Sequence, residues 1–327
     1  MKLVRRQLMV LAGAAVCAPA VSSLASAQTY PSRPVRVIVP YAAGGPNDVV
    51  TRIITQKLSE SWGGQFYVDN IPAGASTVGT GMAARAPADG YTIVVITNSF
   101  IINPSMFAKV SYDPIKDFAP VTLLAASPLV LVVHPSMPAN SVKDLVALLK
   151  ANPGKYSYAS AGAGSPAHLA GELFKLSLGL DFTHVPFNGA APAMTSTIGG
   201  HTPISFVAVP LASANIRDGK LRGLAVMSSR RAPALPEVPT MAEAGFPEQE
   251  AHLLQGVLLP AGTHKDIVDW WYRELARVVA LPDVRERLAA LGLDPVVNTP
   301  DEFAQQIKAE IARWGKVIRD AKIDKIE

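Results

Sequence analysis

Short runs of β-branched residues alternate with longer helix-like segments along most of this chain, and no other feature limits its fold so strongly. Val35–Val39, Phe66–Val68 and Thr92–Ile96 are runs that predict strands. Asp48–Trp62 and Thr77–Arg85 lie between them, with apolar residues at roughly helical spacing. Because parallel strands need crossover connections, which are usually helices, this βαβαβ pattern predicts a parallel sheet.

A second set of the same kind follows the apolar strands between Val121 and Val133. The predicted helices are Ser141–Lys150, Pro166–Leu178 and Pro192–Ile198, and the predicted strands are Tyr156–Ala159, Phe182–Val185, Ile204–Val207 and Leu221–Met227. Arg231–Pro247 is rich in proline and alanine and predicts an irregular connection. The pattern indicates a second α/β lobe.

The C-terminal part predicts one strand and three helices. The strand is Leu253–Leu259, and the first two helices lie near Asp266–Val279 and Val284–Leu291. The third begins at Thr299-Pro300-Asp301-Glu302, which combines a capping threonine, a first-turn proline and a capping-box glutamate. We predict an α/β fold with two doubly wound lobes, residues 28–128 plus 252–327 forming lobe I and residues 129–251 forming lobe II.

Residues 1–27 have the composition of a secretory signal peptide. Basic residues precede an apolar stretch from about Leu8 to Leu24, and the small residues Ala25-Ser26-Ala27 precede Gln28. Arg5-Arg6 resembles a twin-arginine signal, while an ordinary Sec signal is equally open. Both routes predict export to the periplasm.

Charge and cysteine content narrow the function classes. Removal of residues 1–27 takes away three basic residues and lowers the formal net charge from +4 to +1, which gives no support for a nucleic-acid partner. The only cysteine, Cys17, lies in the same segment. The mature chain of about 300 residues can bury a core without disulfides.

Two glycine-containing loops stand where a predicted strand gives way to a helix. The first is Pro40–Asp48, with Gly44 and Gly45, and the second is Ser160–Pro166, with Gly162 and Gly164. Glycines let backbone N–H groups approach a ligand, and a helix start favours an anion. Tight turns, the first capped by Asn47, explain the same spacing equally well. Asn70–Thr77 is a weaker third candidate.

Enzymatic alternatives have little support in the sequence. Gly162-Ala163-Gly164 lacks the third glycine of a dinucleotide loop, and no Gly-Lys-Ser/Thr phosphate loop occurs. Ser165 could act as a hydrolase nucleophile, but the next residue, Pro166, has no N–H for an oxyanion hole. No two of the six histidines have metal-ligand spacing. We therefore expect no catalytic residues, no metal and no cofactor.

The chain resembles a known family, the periplasmic solute receptors of tripartite tricarboxylate transporters, often called Bug receptors. The matching stretches in the first half are Tyr30–Pro34, Pro40–Asp48, Ala86–Tyr91, Asn103-Pro104, Asp113-Pro114 and Asp117-Phe118. Those in the second half are Ala167–Phe174, His184–Pro192, Leu235–Thr240, Glu243–Pro247 and Pro260–Thr263. The resemblance covers nearly the whole mature chain in order.

The resemblance implies a type II periplasmic-binding-protein fold, with a ligand held between two lobes that close as a hinge. It also implies ligand-binding residues. Around the proximal carboxylate these are Tyr41, Gly44, Gly45, Pro46, Asn47, Asp48, Ser76, Thr77, Thr97 and Ser99. Around the distal end they are Ser160, Ala161, Gly162, Ser165, His168, Phe187, Gly189, Ala190, Phe206 and Val207. Neither glycine loop contains Lys or Arg.

Two departures from the family pattern bear on the ligand. In the third loop, relatives usually show a basic residue and a glycine where this chain has Ile71 and Ala73. Relatives often carry an Asp after the phenylalanine that corresponds to Phe206, and this chain has Val207. Without that Asp, an amino-acid ligand is disfavoured because a bound ammonium would lack an acceptor. With Phe187, these residues form an apolar wall.

We therefore predict a receptor that captures a small organic mono- or dicarboxylate, aromatic ones included, and delivers it to the permease subunits of a membrane transporter. A monomer is expected. Two alternatives stay open: an orphan periplasmic sensor that uses the same cleft for signalling, and an exported serine hydrolase that uses Ser165 and a histidine.

Overall fold

The structure is a computed structural model that describes residues 30–327. The predicted signal peptide, residues 1–27, lies outside the described residues. The strands are β1 Val35–Val39, β2 Phe66–Asn70, β3 Thr92–Ile96, β4 Phe118–Val133, β5 Ser157–Ser160, β6 Thr183–Pro186, β7 Ile204–Ala208, β8 Arg222–Val226, β9 His252–Pro260 and β10 Asp294–Pro295.

Ten α-helices join these strands, and a 3₁₀ turn at Gly74–Ser76 precedes the second of them. The helices are α1 Pro46–Trp62, α2 Thr77–Ala84, α3 Asn98–Met106, α4 Val142–Ala151, α5 Pro166–Leu178, α6 Ala190–Ile198, α7 Val209–Arg217, α8 Lys265–Val279, α9 Pro282–Ala290 and α10 Pro300–Asp320. None of the helices in the described part of the chain has the length and hydropathy needed to cross a membrane.

Parallel strands form the two outer parts of the sheet, as the βαβ pattern predicts. β1 lies between β2 and β3 and is parallel to both. β5 likewise lies between β6 and β7 in parallel. Helix starts therefore gather at the carboxyl ends of β1 and β3 and again at those of β5, β6 and β7, where ligands bind in α/β folds.

The long strand β4 connects the two parts and changes partners along its length. Phe118–Pro128 pairs antiparallel with β9, whereas Leu129–Val133 pairs antiparallel with β7 and, in part, with β8. The N–H of Leu129 donates to the carbonyl of Ala251, 3.0 Å away, just before β9 begins. The change of partners coincides with the predicted lobe boundary at residues 128/129 and 251/252, and the division into lobes stays a prediction.

The core is built from the apolar strands and the helix faces that cover them. Val37, Val94, Leu131 and Phe206 are completely or almost completely buried, as expected for strands covered on both faces. Trp271 of α8 is fully buried. The preceding residue, Trp270, packs on Trp62 with ring centroids 4.1 Å apart.

Candidate functional site

The first glycine loop runs from β1 into α1 and is held in place by Asp48. Gly44 has a φ of +78°, a value that favours glycine, and its N–H donates to Oδ2 of Asp48 over 2.8 Å. Nε of Arg52 and Nδ2 of Asn70 also donate to this buried carboxylate. Burial alone would raise the pKa of Asp48, but hydrogen bonds from Arg52, Gly44 and Asn70 outweigh it and lower the pKa. Asp48 therefore fixes the loop from behind.

Asn47 anchors the start of α1 to the neighbouring strand. Its side chain is buried, and Nδ2 donates to the carbonyl of Val95 in β3 over 3.1 Å. Its Oδ1 is also buried and has no donor among the described residues. Gly45 caps α1 and Pro46 is its first residue. The proline costs no hydrogen bond there, because a first-turn N–H has no partner within a helix.

Four hydroxyl groups meet beside this loop. The Tyr41 hydroxyl lies 2.7 Å from Oγ1 of Thr97 and 2.6 Å from Oγ of Ser99, and those two oxygens are 3.1 Å apart. The Ser76 hydroxyl donates to Oγ of Ser99 over 3.2 Å. We call Tyr41, Ser76, Thr97 and Ser99 the hydroxyl cluster. Thr77, by contrast, donates its hydroxyl to the carbonyl of Gly74 within its own turn.

Two helices begin within the hydroxyl cluster, and a third begins beside it. Ser76 is the N-terminal cap of α2 and Thr97 is that of α3. The first turn of α1 lies nearby, because Asn47 donates to the carbonyl of Val95, two residues before Thr97. Helix N-termini carry partial positive charge and free N–H donors, so three of them favour an anion at one place without a Lys or Arg side chain. Ser76 adopts a φ of +77°, which is uncommon for a residue with a side chain and marks a constrained turn.

The second glycine loop runs from β5 into α5 and is braced by its own serines. Oγ of Ser165, the cap of α5, donates to the carbonyl of Gly162 over 2.7 Å and accepts from the N–H of His168. The Gly162 N–H donates to Oγ of Ser160 over 3.1 Å. The Gly164 N–H donates to Nδ1 of His168 over 3.0 Å. Donors in this loop are therefore directed into the protein.

Two stacked histidines support the second loop from below. The rings of His168 and His184 lie 4.0 Å apart, nearly parallel. Burial lowers the pKa of His168 to about 4, with a smaller effect from Lys175, and burial followed by His168 does the same for His184. Both rings are therefore neutral near pH 7. Nε2 of His184 lies 2.6 Å from Oγ of Ser160.

A pocket of about 400 Å³ opens next to the second loop. Three of its lining residues are serines, Ser160, Ser165 and Ser205, and the other ten are apolar. Leu129 of β4 and Leu253 of β9 form part of the wall, so the pocket reaches the strands that connect the two halves of the sheet. The volume of about 400 Å³ includes the solvent-filled mouth of the pocket.

The predicted distal residues divide between the pocket wall and its support. The residues in the wall are Ser160, Ala161, Ser165, Ala190, Phe206 and Val207. His168 lies behind the second loop, and Gly162 forms its turn. Phe187 donates its N–H to the carbonyl of Ser160, and Gly189, with a φ of +115°, precedes α6.

The proximal residues form a separate group. Tyr41, Ser76, Thr97 and Ser99 are mutually bonded, and among the described residues no member of the first glycine loop lines the pocket. The sequence analysis missed the support from His184 and the wall residues Ser205, Leu129 and Leu253. The available signal for His184 was its position as the first residue of the family stretch His184–Pro192, within the predicted strand Phe182–Val185.

The chemistry of the second loop offers little for hydrolysis. The Ser165 hydroxyl is bonded to Gly162 and to the His168 N–H, so it contacts no imidazole nitrogen as a base. Ser160 does contact His184, but a histidine with a pKa of about 4 is a weak base near neutral pH. Within residues 30–327, no three His, Cys, Asp or Glu side chains come together as a metal site.

Known proteins resemble this chain over most of its length. Residues 50–323 match the family model described as "Tripartite tricarboxylate transporter family receptor". Protein BugT of Bordetella pertussis is 35% identical over 316 residues, which span 96% of this chain and 97% of that protein.

Two solved structures from Rhodopseudomonas palustris share the fold. Rpa4515, described with adipate, is 33% identical with a TM-score of 0.77, and the match covers 91% of this chain and all of that one. MatC, with bound malate, is 31% identical with a TM-score of 0.73, and the match covers 88% of this chain and all of that one.

Proposed function

Because the chain belongs to the tripartite tricarboxylate transporter receptor family, we propose that it captures a small organic carboxylate in the periplasm and delivers it to the permease of such a transporter. Family membership confirms the resemblance read from the sequence, and the similar structures confirm the type II periplasmic-binding-protein fold. The family model describes a receptor, and a further similar structure, BugD, is described as a periplasmic binding protein, which supports binding without catalysis.

One observation carries the proposal: the hydroxyl cluster stands where three helices begin. An organic carboxylate there accepts hydrogen bonds from hydroxyl groups and from first-turn N–H groups, and the helix dipoles stabilise its charge. The two similar structures from Rhodopseudomonas palustris are described with adipate and with malate, both small organic carboxylates. We place the ligand's carboxylate at the hydroxyl cluster and the rest of the ligand in the pocket lined by Ala190 and Val207.

Differential scanning fluorimetry of residues 28–327 tests the ligand class. The panel contains aliphatic, hydroxy, aromatic and amino carboxylates. A ligand present at 100 times its Kd adds about 2.7 kcal/mol to the free energy of unfolding, which raises Tm measurably. A shift with some non-amino carboxylates supports the proposal, whereas no shift with any carboxylate contradicts it.

Replacement of one hydroxyl tests where the carboxylate binds. Tyr41→Phe removes the group that joins Thr97 to Ser99, and we expect it to weaken binding of the best panel ligand about tenfold, in line with the loss of a hydrogen bond to a charged group. Tyr67→Phe is the matched control because Tyr67 lies on the edge strand β2 and is 52% exposed. Equal Kd values for both variants would place the carboxylate elsewhere.

Delivery to a permease is tested in cells. Uptake of the labelled ligand should fall when the gene for this chain is deleted and recover when the full chain is restored. Uptake that is unchanged after deletion would favour a sensor over a transport receptor.

A further inference from the structure

The pocket beside the second glycine loop contains no charged side chain that could meet a second carboxylate. Its lining consists of ten apolar residues and three serines, and every lining residue lies within the described part of the chain. The two histidines beneath the second loop do not supply a positive charge, because burial keeps His168 and His184 neutral near pH 7.

All three serine hydroxyls in the pocket already have acceptors inside the protein. Ser205 donates to the carbonyl of Ala159 over 3.1 Å, and Ser165 donates to that of Gly162 over 2.7 Å. Ser160 has His184 Nε2 at 2.6 Å and the Gly162 carbonyl at 3.2 Å as acceptors. If Ser165 or Ser205 turned its hydrogen toward a ligand, it would give up its bond to a fixed carbonyl.

Backbone donors around the pocket are also reduced in number. The N–H groups of Gly162, Gly164 and Ser165 are bonded within the loop or to His168. The three helices that begin at the pocket, α5, α6 and α7, each have a proline among their first three residues, which removes one N–H from each start. A second carboxylate in this pocket would depend on the helix dipoles and the first-turn N–H groups that remain, which offset only part of the hydration it loses on burial.

The hydroxyl cluster differs from the pocket because its hydroxyl groups are not committed to backbone carbonyls. Tyr41, Thr97 and Ser99 bond mainly to one another, so each can redirect its hydrogen to a ligand oxygen without leaving a backbone carbonyl unpaired. The candidate site is therefore polar at the hydroxyl cluster and apolar in the pocket.

We propose that the preferred ligand is a monocarboxylate with an uncharged apolar body, its carboxylate at the hydroxyl cluster and its apolar end in the pocket lined by Leu129, Phe206, Val207 and Leu253. This inference rests on the proposed function, since it assigns the second end of the same ligand. The proposed ligand differs from adipate and malate, the dicarboxylates in the two similar structures, because it has only one carboxylate.

Two pairs of probes test the inference by isothermal titration calorimetry on residues 28–327. Hexanoate and adipate have the same chain length, and 4-methylbenzoate and terephthalate the same ring, so each pair differs by a methyl group against a second carboxylate. In each pair that binds, we expect the monocarboxylate to bind at least tenfold more tightly. If only the dicarboxylates bind, or if a dicarboxylate binds as tightly as its matched monocarboxylate, the inference is wrong and the receptor proposal stands. If no carboxylate binds, both fail.

A charge placed in the pocket should reverse the preference. Ala190 lines the pocket and is exposed at the start of α6, so a longer side chain fits there without disturbing the core. Ala190→Lys should shift the ratio of the two Kd values toward the dicarboxylate by tenfold or more, while Ala190→Met, of similar length but uncharged, should not shift the ratio toward the dicarboxylate. An unchanged ratio in the lysine variant would overturn the inference.

Discussion

At the scale of single residues, Asp48 carries the conformation of the first glycine loop. Asp48→Asn replaces one acceptor oxygen by a donor that faces the Gly44 N–H or the Arg52 guanidinium. We expect a loss of about 1–3 kcal/mol in the free energy of unfolding at pH 7, because a buried donor then lacks its partner. Urea denaturation measures the loss.

Lowering the pH should remove the difference in the free energy of unfolding between Asp48→Asn and the unmodified chain. The pKa of Asp48 is lower in the folded chain than in the unfolded chain, where it is about 3.9, so its contribution is complete above that value and is lost as pH falls through the folded pKa. Asp283→Asn is the control: Asp283 pairs with Lys57 on the surface, where solvent screens the ion pair, and should contribute less than Asp48. Equal losses in the two variants at pH 7 would contradict this role for Asp48.

Residue types at the candidate site could be predicted from sequence, but their hydrogen-bond partners could not. The glycines and hydroxyls of both loops stand at strand ends, where pattern alone points to a site. The hydrogen bonds between Asn70 and Asp48 and between Ser160 and His184 depend on which loops the topology brings together, and the sequence pattern does not show this. The family resemblance named Asp48 and His168 as ligand-binding residues, which stays a prediction, and the structure shows that each accepts a hydrogen bond from a glycine N–H of its own loop.

At the scale of elements, the cap of α10 offers a direct test. The Thr299 hydroxyl accepts from the Glu302 N–H, and the Glu302 carboxylate accepts from the Thr299 N–H. Thr299→Ala should lower the free energy of unfolding by about 0.5–2 kcal/mol, whereas Thr299→Ser keeps the oxygen and should lose less. Thermal unfolding monitored by circular dichroism measures both, and similar losses would mean that the cap oxygen is unimportant.

Most elements agree with the pattern, and the exceptions involve proline. The sequence analysis missed α3 and α7, because α3 contains Pro104 and α7 has Pro210 in its first turn, so both read as breaks. Pro128 and Ser127 suggested separate strands where β4 is continuous over Phe118–Val133. Pro128 lies at the end of the ladder with β9, where a strand tolerates the loss of one N–H.

At the scale of the whole molecule, the buried histidines make stability depend on pH. His168 and His184 have pKa values of about 4 in the folded chain against about 6.5 unfolded, so the unfolded chain binds more protons between these values. The contribution of these two histidines to the free energy of unfolding is therefore fully present above about pH 6.5. It falls toward pH 4, by at most about 1.4 kcal/mol per pH unit for each histidine.

Substitution of one histidine should flatten this dependence. His184→Gln keeps a hydrogen-bonding group near Ser160 but cannot titrate, so its free energy of unfolding should change less between pH 7 and pH 5 than that of the unmodified chain. His201→Gln, at an exposed position, should retain the full slope. Urea denaturation at a series of pH values gives both slopes, and parallel curves for His184→Gln and the unmodified chain would refute this explanation.

The path of the chain through β4 and β9 has a consequence for protein engineering. The chain leaves the β4–β9 ladder after Pro128 and returns to it at His252, its partner in that ladder, while Leu129 is hydrogen-bonded to Ala251. Everything from Leu129 to Ala251 is thus inserted between two adjacent points of one ladder. We expect such a segment to be exchangeable as a cassette between homologous receptors through two neighbouring splice junctions, which would replace every pocket residue except Leu253 and leave the first glycine loop and the hydroxyl cluster unchanged.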